Sequence, residues 1–113
     1  MDRQRFGREG ENKAVRFLEK SGYKVLTRNF RSKLGEIDIV AIDHNTLVFV
    51  EVKTRRDSNH GYPEEAVTPR KLRSIIKTGE YYKLLNPQTP ELLRIDVVAI
   101  DGEEVRLLKN VSQ

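Results

Sequence analysis

Apolar side chains recur at helical spacing between Glu9 and Lys20, where Ala14, Val15 and Leu18 form one stripe before Ser21-Gly22 ends the element. Tyr23 to Asn29 then reads as a strand, and Phe30 to Leu34 as a basic connector. The period changes at Gly35. Gly35-Glu36-Ile37-Asp38-Ile39-Val40-Ala41-Ile42 and Leu47-Val48-Phe49-Val50-Glu51-Val52-Lys53 are strand-like runs joined by polar turn formers around His44-Asn45, the signature of a β-hairpin. A polar loop follows from Thr54 to Thr68. Thr68-Pro69 starts a helix, with Thr as N-cap and Pro at the first position, and Asn86-Pro87 stops it after Leu85. Leu92–Ile100 and Glu104–Lys109 are two further strands about the turn Asp101-Gly102. The order α-β-β-β-α-β-β predicts an α/β fold, a mixed β-sheet flanked by helices. Residues 1–113 read as one domain, without repeats, linkers or low-complexity tracts.

The hairpin pattern contains a contradiction. Val40, Ile42, Leu47 and Phe49 line one face, while Ile37, Ile39 and Ala41, with Val48, Val50 and Val52, line the other, so both strands read as covered on both sides. Asp38, Glu51 and Lys53 lie inside these runs, where ionised groups are costly unless paired. A loop of two residues (His44-Asn45) or of four (Asp43 to Thr46) gives the same register, and that register sets Asp38 opposite Glu51. Directly opposed residues have Cβ atoms roughly 5 Å apart, and like charges there destabilise a sheet. A divalent metal ion between the two best resolves the conflict, because hard cations collect carboxylate oxygens. Residues two apart share a face, which sets Lys53 beside Glu51 and Glu36 beside Asp38. The plainer alternative is a network of solvated strand charges.

Composition narrows the chemistry. The 113 residues are 34% charged and 37% hydrophobic, polar but with clear apolar segments, which argues against disorder. No cysteine is present, excluding disulfides, thiolate metal sites and cysteine nucleophiles and suiting a reducing cytoplasm. His44 and His60 are the only histidines and both fall in predicted loops, so a histidine-rich metal site is excluded and His44 reads as a turn residue. The first residues lack the apolar core of a signal peptide, and the apolar runs are far too short for a membrane span. These features predict a cytoplasmic protein.

With 21 Lys and Arg against 17 acids, the net charge is +4, compatible with a polyanionic partner. Arg3, Arg5 and Arg8 cluster at the start, Arg28, Arg31 and Lys33 precede the first acidic motif, and Arg55-Arg56 follow the second. Solubility explains any single cluster; two clusters flanking the acids point to nucleic acid. Arg70, Lys71 and Arg73 form a basic first turn in the second helix, against its macrodipole, a conflict that either surface exposure or a nearby phosphate would ease. Glu11 lies on the inward stripe of the first helix, as a cap, an ion-pair member or a further contributor to the acidic cluster. Asp96 interrupts an apolar strand and is expected to pair with Arg94 or another nearby cation. Tyr81-Tyr82 is expected to pack the second helix.

Asp38, a spacer and then Glu51-Val52-Lys53 resemble the divided acid–acid-x-lysine motif of the restriction endonuclease-like nuclease superfamily, with Ile37-Asp38 in place of the Pro-Asp of many members. Gly-Glu-Ile-Asp, Phe-Val-Glu-Val-Lys-Thr-Arg and Arg-Ile-Asp-Val-Val, with Gly10-Glu11 on the leading helix, are similar to the small bacterial YraN-like family of uncharacterised proteins, itself similar to Holliday junction resolvases. The resemblance runs from about Gly7 to Ile100. It implies a restriction endonuclease-like sheet and a metal-dependent nuclease acting on DNA, at branched or structured sites. It also implies Mg²⁺ or Mn²⁺ held by Asp38 and Glu51 with the Val52 carbonyl, Lys53 at the reacting phosphate, and Glu11 as the helix acid that completes such sites. Arg28, Arg31, Lys33, Arg55, Arg56 and Lys71 are the expected nucleic-acid contacts, and resolvase-like relatives imply a homodimer. Glu36 is expected to pair with Lys53 or a nearby arginine. The alternatives are a catalytically silent nucleic-acid-binding module and a subunit of a DNA-processing assembly.

Overall fold

A computed structural model describes residues 3–55 and 67–111 of the chain. Arg56, His60 and the segment from Asp57 to Pro63 lie outside the described residues, as do the side chains of Arg3 and Arg5. The elements follow the expected order: α1 (Arg3–Lys20), β1 (Lys24–Ser32), β2 (Gly35–Asp43), β3 (Thr46–Arg55), α2 (Pro69–Leu85), β4 (Leu92–Asp101) and β5 (Glu104–Leu108). They form one five-stranded mixed sheet in the order β1-β2-β3-β4-β5. The pairs are antiparallel except β3–β4, which is parallel and needs the α2 crossover.

The helices cover opposite faces of the sheet. Ala14 and Leu18 of α1 pack with Ile39, Ala41, Val48 and Val50, whereas Ile75 and Tyr82 of α2 pack with Val40, Leu47, Phe49 and Ile95. Burial on both faces explains why β2 and β3 alternate between apolar sets rather than between apolar and polar ones. Two glycines permit close approach. A side chain at Gly79 would collide with the Phe49 ring beneath α2. A Cβ at Gly10 would meet Thr54 Cγ2 at 2.8 Å, so α1 crosses β3 closely just where Glu11 follows.

Several boundaries differ from the pattern-based reading. α1 begins at Arg3 rather than Glu9, because the polar first turns carry no apolar stripe to mark them. β1 extends to Ser32, so most of the expected connector is strand and only Lys33-Leu34 turns the chain. An edge strand in which no residue is fully buried offers little apolar signal. β3 likewise includes Thr54 and Arg55. The β2–β3 hairpin has the anticipated register, from Asp43–Thr46 to Ile39–Val50 around His44-Asn45, with His44 at φ 56°.

One face assignment changes. Ile37, expected beside Ile39 and Ala41, instead packs on the α2 side with Val40 and Phe49. The β2–β3 ladder ends at Ile39–Val50, and Asn29, which faces Asp38 across β1, takes a left-handed φ of 54°. Strict alternation therefore breaks at Asp38.

Candidate functional site

The break in the ladder creates the site. Beyond Ile39–Val50 the next register pair is Asp38–Glu51, but no ladder pairing continues there. The Val52 N–H donates to Asp38 Oδ2 at 2.8 Å, so a carboxylate takes a main-chain hydrogen bond where the two strands part. Glu51 is buried and follows Phe49 on the α2 side, where Lys71 Nζ meets its Oε1 at 2.8 Å. Glu11 is also buried; its Oε1 accepts from Arg28 Nε at 2.8 Å and from Asn29 Nδ2 at 3.0 Å. The left-handed turn at Asn29 thus aims a β1 amide at the α1 acid. Glu36 is exposed and pairs with Arg31 at 3.3 Å, the arginine option of its expected pairing.

Electrostatics single out Asp38. Burial, then the neighbouring Glu51 charge, pushes its carboxyl up to about 7, with Glu36 and Glu11 adding in the same direction and the Val52 N–H opposing. Lys71 is held above the ordinary lysine range, first by its hydrogen bond to Glu51 and also by the fields of Glu51, Asp38 and Glu36. Among the described residues, no group of three or more acids or histidines is arranged to hold a metal ion; Arg28 and Asn29 hold Glu11, and Lys71 holds Glu51. The oxygens at hand for a cation are those of Asp38 and Glu51 and the backbone where β2 and β3 diverge.

Lys53 and Arg55 follow Glu51 along β3 at two-residue steps, which sets them on its face of the strand. Lys53 is half-buried and makes no ion pair among the described residues. Arg55 Nε is buried without a hydrogen-bond partner among the described residues, a charged donor of the kind an anion would meet. Arg28, Arg31 and Lys33 line β1 and its turn with exposed side chains, although Arg28 also binds Glu11 and Asn12. Lys71 was anticipated only as a phosphate contact, yet it pairs directly with a motif acid. The basic first turn of α2 was its visible signal; that α2 returns over the end of β3 is a property of the crossover.

A model of the uncharacterised protein family UPF0102 matches residues 10–100, which hold every one of these acids and lysines. The chain belongs to that family. A UPF0102 protein from Persephonella marina is 45% identical over 104 residues, covering 92% of this chain and 90% of its own. Another, from Caldicellulosiruptor saccharolyticus, is 45% identical across 97% of this chain and 98% of its own length. A third, from Lachnoclostridium phytofermentans, is 50% identical over 102 residues, covering 88% and 86%. This UPF0102 chain thus matches its relatives nearly end to end, as the YraN-like words in its sequence imply. Among its described residues no helix is long and apolar enough to cross a membrane.

Proposed function

We propose that this protein is a metal-dependent nuclease that hydrolyses DNA phosphodiester bonds, with Asp38, Glu51, Lys53 and Glu11 as its site. The observation that carries the reading is the carboxyl of Asp38, pushed up to about 7 beside buried Glu51 at the point where two covered strands separate. Neighbouring acids at the edge of a core are unfavourable for folding, and such perturbed groups concentrate at functional sites.

The donor set suits Mg²⁺ or Mn²⁺: hard oxygens, mutually repelling carboxylates and no thiolate anywhere in the chain. Asp38 and Glu51 would hold the ion together with the Val52 carbonyl, and Glu11 is the third acid of the set. Such an ion polarises a phosphoryl oxygen and lowers the pKa of a bound water. The chain's own groups do the rest. Lys53, on the Glu51 face and without an ion pair among the described residues, supplies positive charge to the phosphate as negative charge develops. Arg55, its buried Nε without a hydrogen-bond partner among the described residues, is an anchor for an adjoining phosphate oxygen. Arg28, Arg31 and Lys33 extend a basic surface along β1, and Arg56 adjoins Arg55 in sequence. Backbone contacts of this kind orient a duplex without reading its bases, consistent with recognition of branched or structured DNA by shape. A homodimer would offer two such sites to the arms of a branched substrate.

The test is cleavage of duplex, single-stranded and branched DNA in Mg²⁺ or Mn²⁺, by wild type and by Glu51→Ala prepared identically. Metal-dependent cleavage lost in Glu51→Ala supports the reading, and cleavage that persists unchanged removes these residues from the chemistry. Salt-sensitive binding with no cleavage under either metal assigns the protein as a binding module instead.

A further inference from the structure

Lys71 occupies a position that is unfavourable by the rules of its own helix. Thr68 caps α2 by accepting the Lys71 N–H at 3.2 Å, so Lys71 is the third residue after the cap, where the macrodipole favours an acid. Arg70 precedes it and Arg73 follows, and the first turn contains no acid. The Lys71 side chain crosses from this turn to Glu51, 20 residues earlier in the chain, and its ammonium meets Oε1 at 2.8 Å. Glu51 is 7% exposed and Lys71 45% exposed, so the acid is fixed in the core while the lysine reaches it from the solvent side. Glu51 has no other cationic partner among the described residues; Glu36 has Arg31 and Glu11 has Arg28.

We infer that Lys71 is an exchangeable counter-ion of the acidic site: its ammonium holds Glu51 Oε1 in the metal-free protein and leaves when a divalent cation takes that oxygen. The inference rests on the metal-binding reading above and adds to it a residue outside the divided acid–acid-x-lysine motif. A half-exposed ammonium on a flexible stem can withdraw at little cost, whereas a buried arginine fork held by two bonds would not. The released ammonium remains anchored at the start of α2, on the solvent side of Glu51, where it can meet a DNA phosphate. Lys71 thus protects the buried acid while the site is empty and sets the metal threshold for filling it. It acts as a positioning residue, through Glu51.

Isothermal titration of Mn²⁺ into wild type, Lys71→Met, Lys71→Gln and Arg70→Met, in the absence of DNA, tests this. Arg70→Met removes one charge from the same helical turn without touching a motif acid and so reports the general through-space effect. Both Lys71 variants are expected to bind Mn²⁺ about fivefold more tightly than wild type, and Arg70→Met less than twofold; a factor of ten is about 1.4 kcal/mol. Lys71→Gln retains a donor for Glu51 and keeps the test open if Lys71→Met folds poorly. Equal affinities for wild type and both Lys71 variants, or an equal gain in Arg70→Met, overturn the counter-ion role while leaving the metal site standing. Absence of Mn²⁺ binding in every protein overturns both, a distinguishable outcome.

Discussion

Asp38 and Asp43 lie on the same strand, five residues apart, and their environments are opposite. Asp43 accepts from Arg94 at 2.7 Å and pairs with His44 at 2.9 Å, with Lys109 nearby at 3.6 Å. The Arg94 hydrogen bond leads the effects that hold its carboxyl down at about 2. Next to it, fully buried Asp96 receives Arg94 Nε at 2.9 Å, the Tyr23 hydroxyl at 2.8 Å and the Asn110 N–H at 2.9 Å. One guanidinium fork thus serves two acids; burial and then the Asp96 hydrogen bond push the Tyr23 hydroxyl up, and the Asp96 hydrogen bond foremost raises Arg94 above its ordinary range. Asp38 has instead one backbone donor, and burial first, with its acidic neighbours after it, raises its carboxyl to about 7. Buried acids alone therefore do not mark a function. The informative feature is a half-buried acid that has acidic neighbours and no cationic partner of its own among the described residues.

The contrast can be broken most severely at the level of activity. Asp38→Asn and Glu51→Gln are each expected to reduce metal-dependent DNA cleavage to background, while Asp43→Asn retains it in whatever fraction remains folded. Loss of cleavage in folded Asp43→Asn would erase the distinction between the two clusters. The next largest effect is on stability. Arg94→Met strands Asp96 in the core and is expected to cost about 3–5 kcal/mol, read by urea denaturation. A cost below about 1 kcal/mol would show that Tyr23 and Asn110 suffice for Asp96.

The titration of stability separates the clusters by sign. Asp38 has a folded pKa above its ordinary value of 3.8, so it binds its proton more tightly in the native state. Its penalty is absent below about pH 4, grows through the interval and is complete above about 7. Metal-free Asp38→Asn is therefore expected to be more stable than wild type at pH 8, by on the order of a few kcal/mol, and equal to it near pH 4. Asp43 has a depressed pKa; its contribution is complete above about pH 4 and disappears as pH falls toward 2. Denaturation of Asp38→Asn and Asp43→Asn at several pH values checks both slopes. The smallest effect belongs to the exposed Arg31–Glu36 pair, where Arg31→Ala is expected to change stability by less than about 0.5 kcal/mol. The same variant should reduce the salt slope of DNA binding by about one ion, measured by fluorescence anisotropy.

Much of this is legible in the sequence. The period-two alternation and the His44-Asn45 turn determine the register from Asp43–Thr46 to Ile39–Val50, the last pair before Asp38 and Glu51, since a one-residue slip would turn both apolar sets over. Thr68-Pro69 marked the start of α2, and Asp96 pairs with Arg94 as local spacing implies. What stayed hidden depends on long-range geometry. Lys71 reaches Glu51 only because the parallel β3–β4 pairing needs α2 as its crossover, and Arg94 reaches Asp43 only because β4 lies beside β3. Ile37 changed faces because the ladder gives way at Asp38, a local departure that no periodic pattern contains. The polar length of β1 was hidden for a simpler reason: an edge strand need not alternate with apolar residues.

The central claim is that Asp38 and Glu51 form a divalent-cation site, and thermal unfolding at pH 7.5 with increasing Mn²⁺ tests it most directly. Wild type is predicted to gain about 2.7 kcal/mol at a Mn²⁺ concentration 100 times its dissociation constant, while Asp38→Asn, more stable at the outset, gains nothing. A wild type indifferent to Mn²⁺, or an Asp38→Asn protein stabilised to the same extent, would contradict the account.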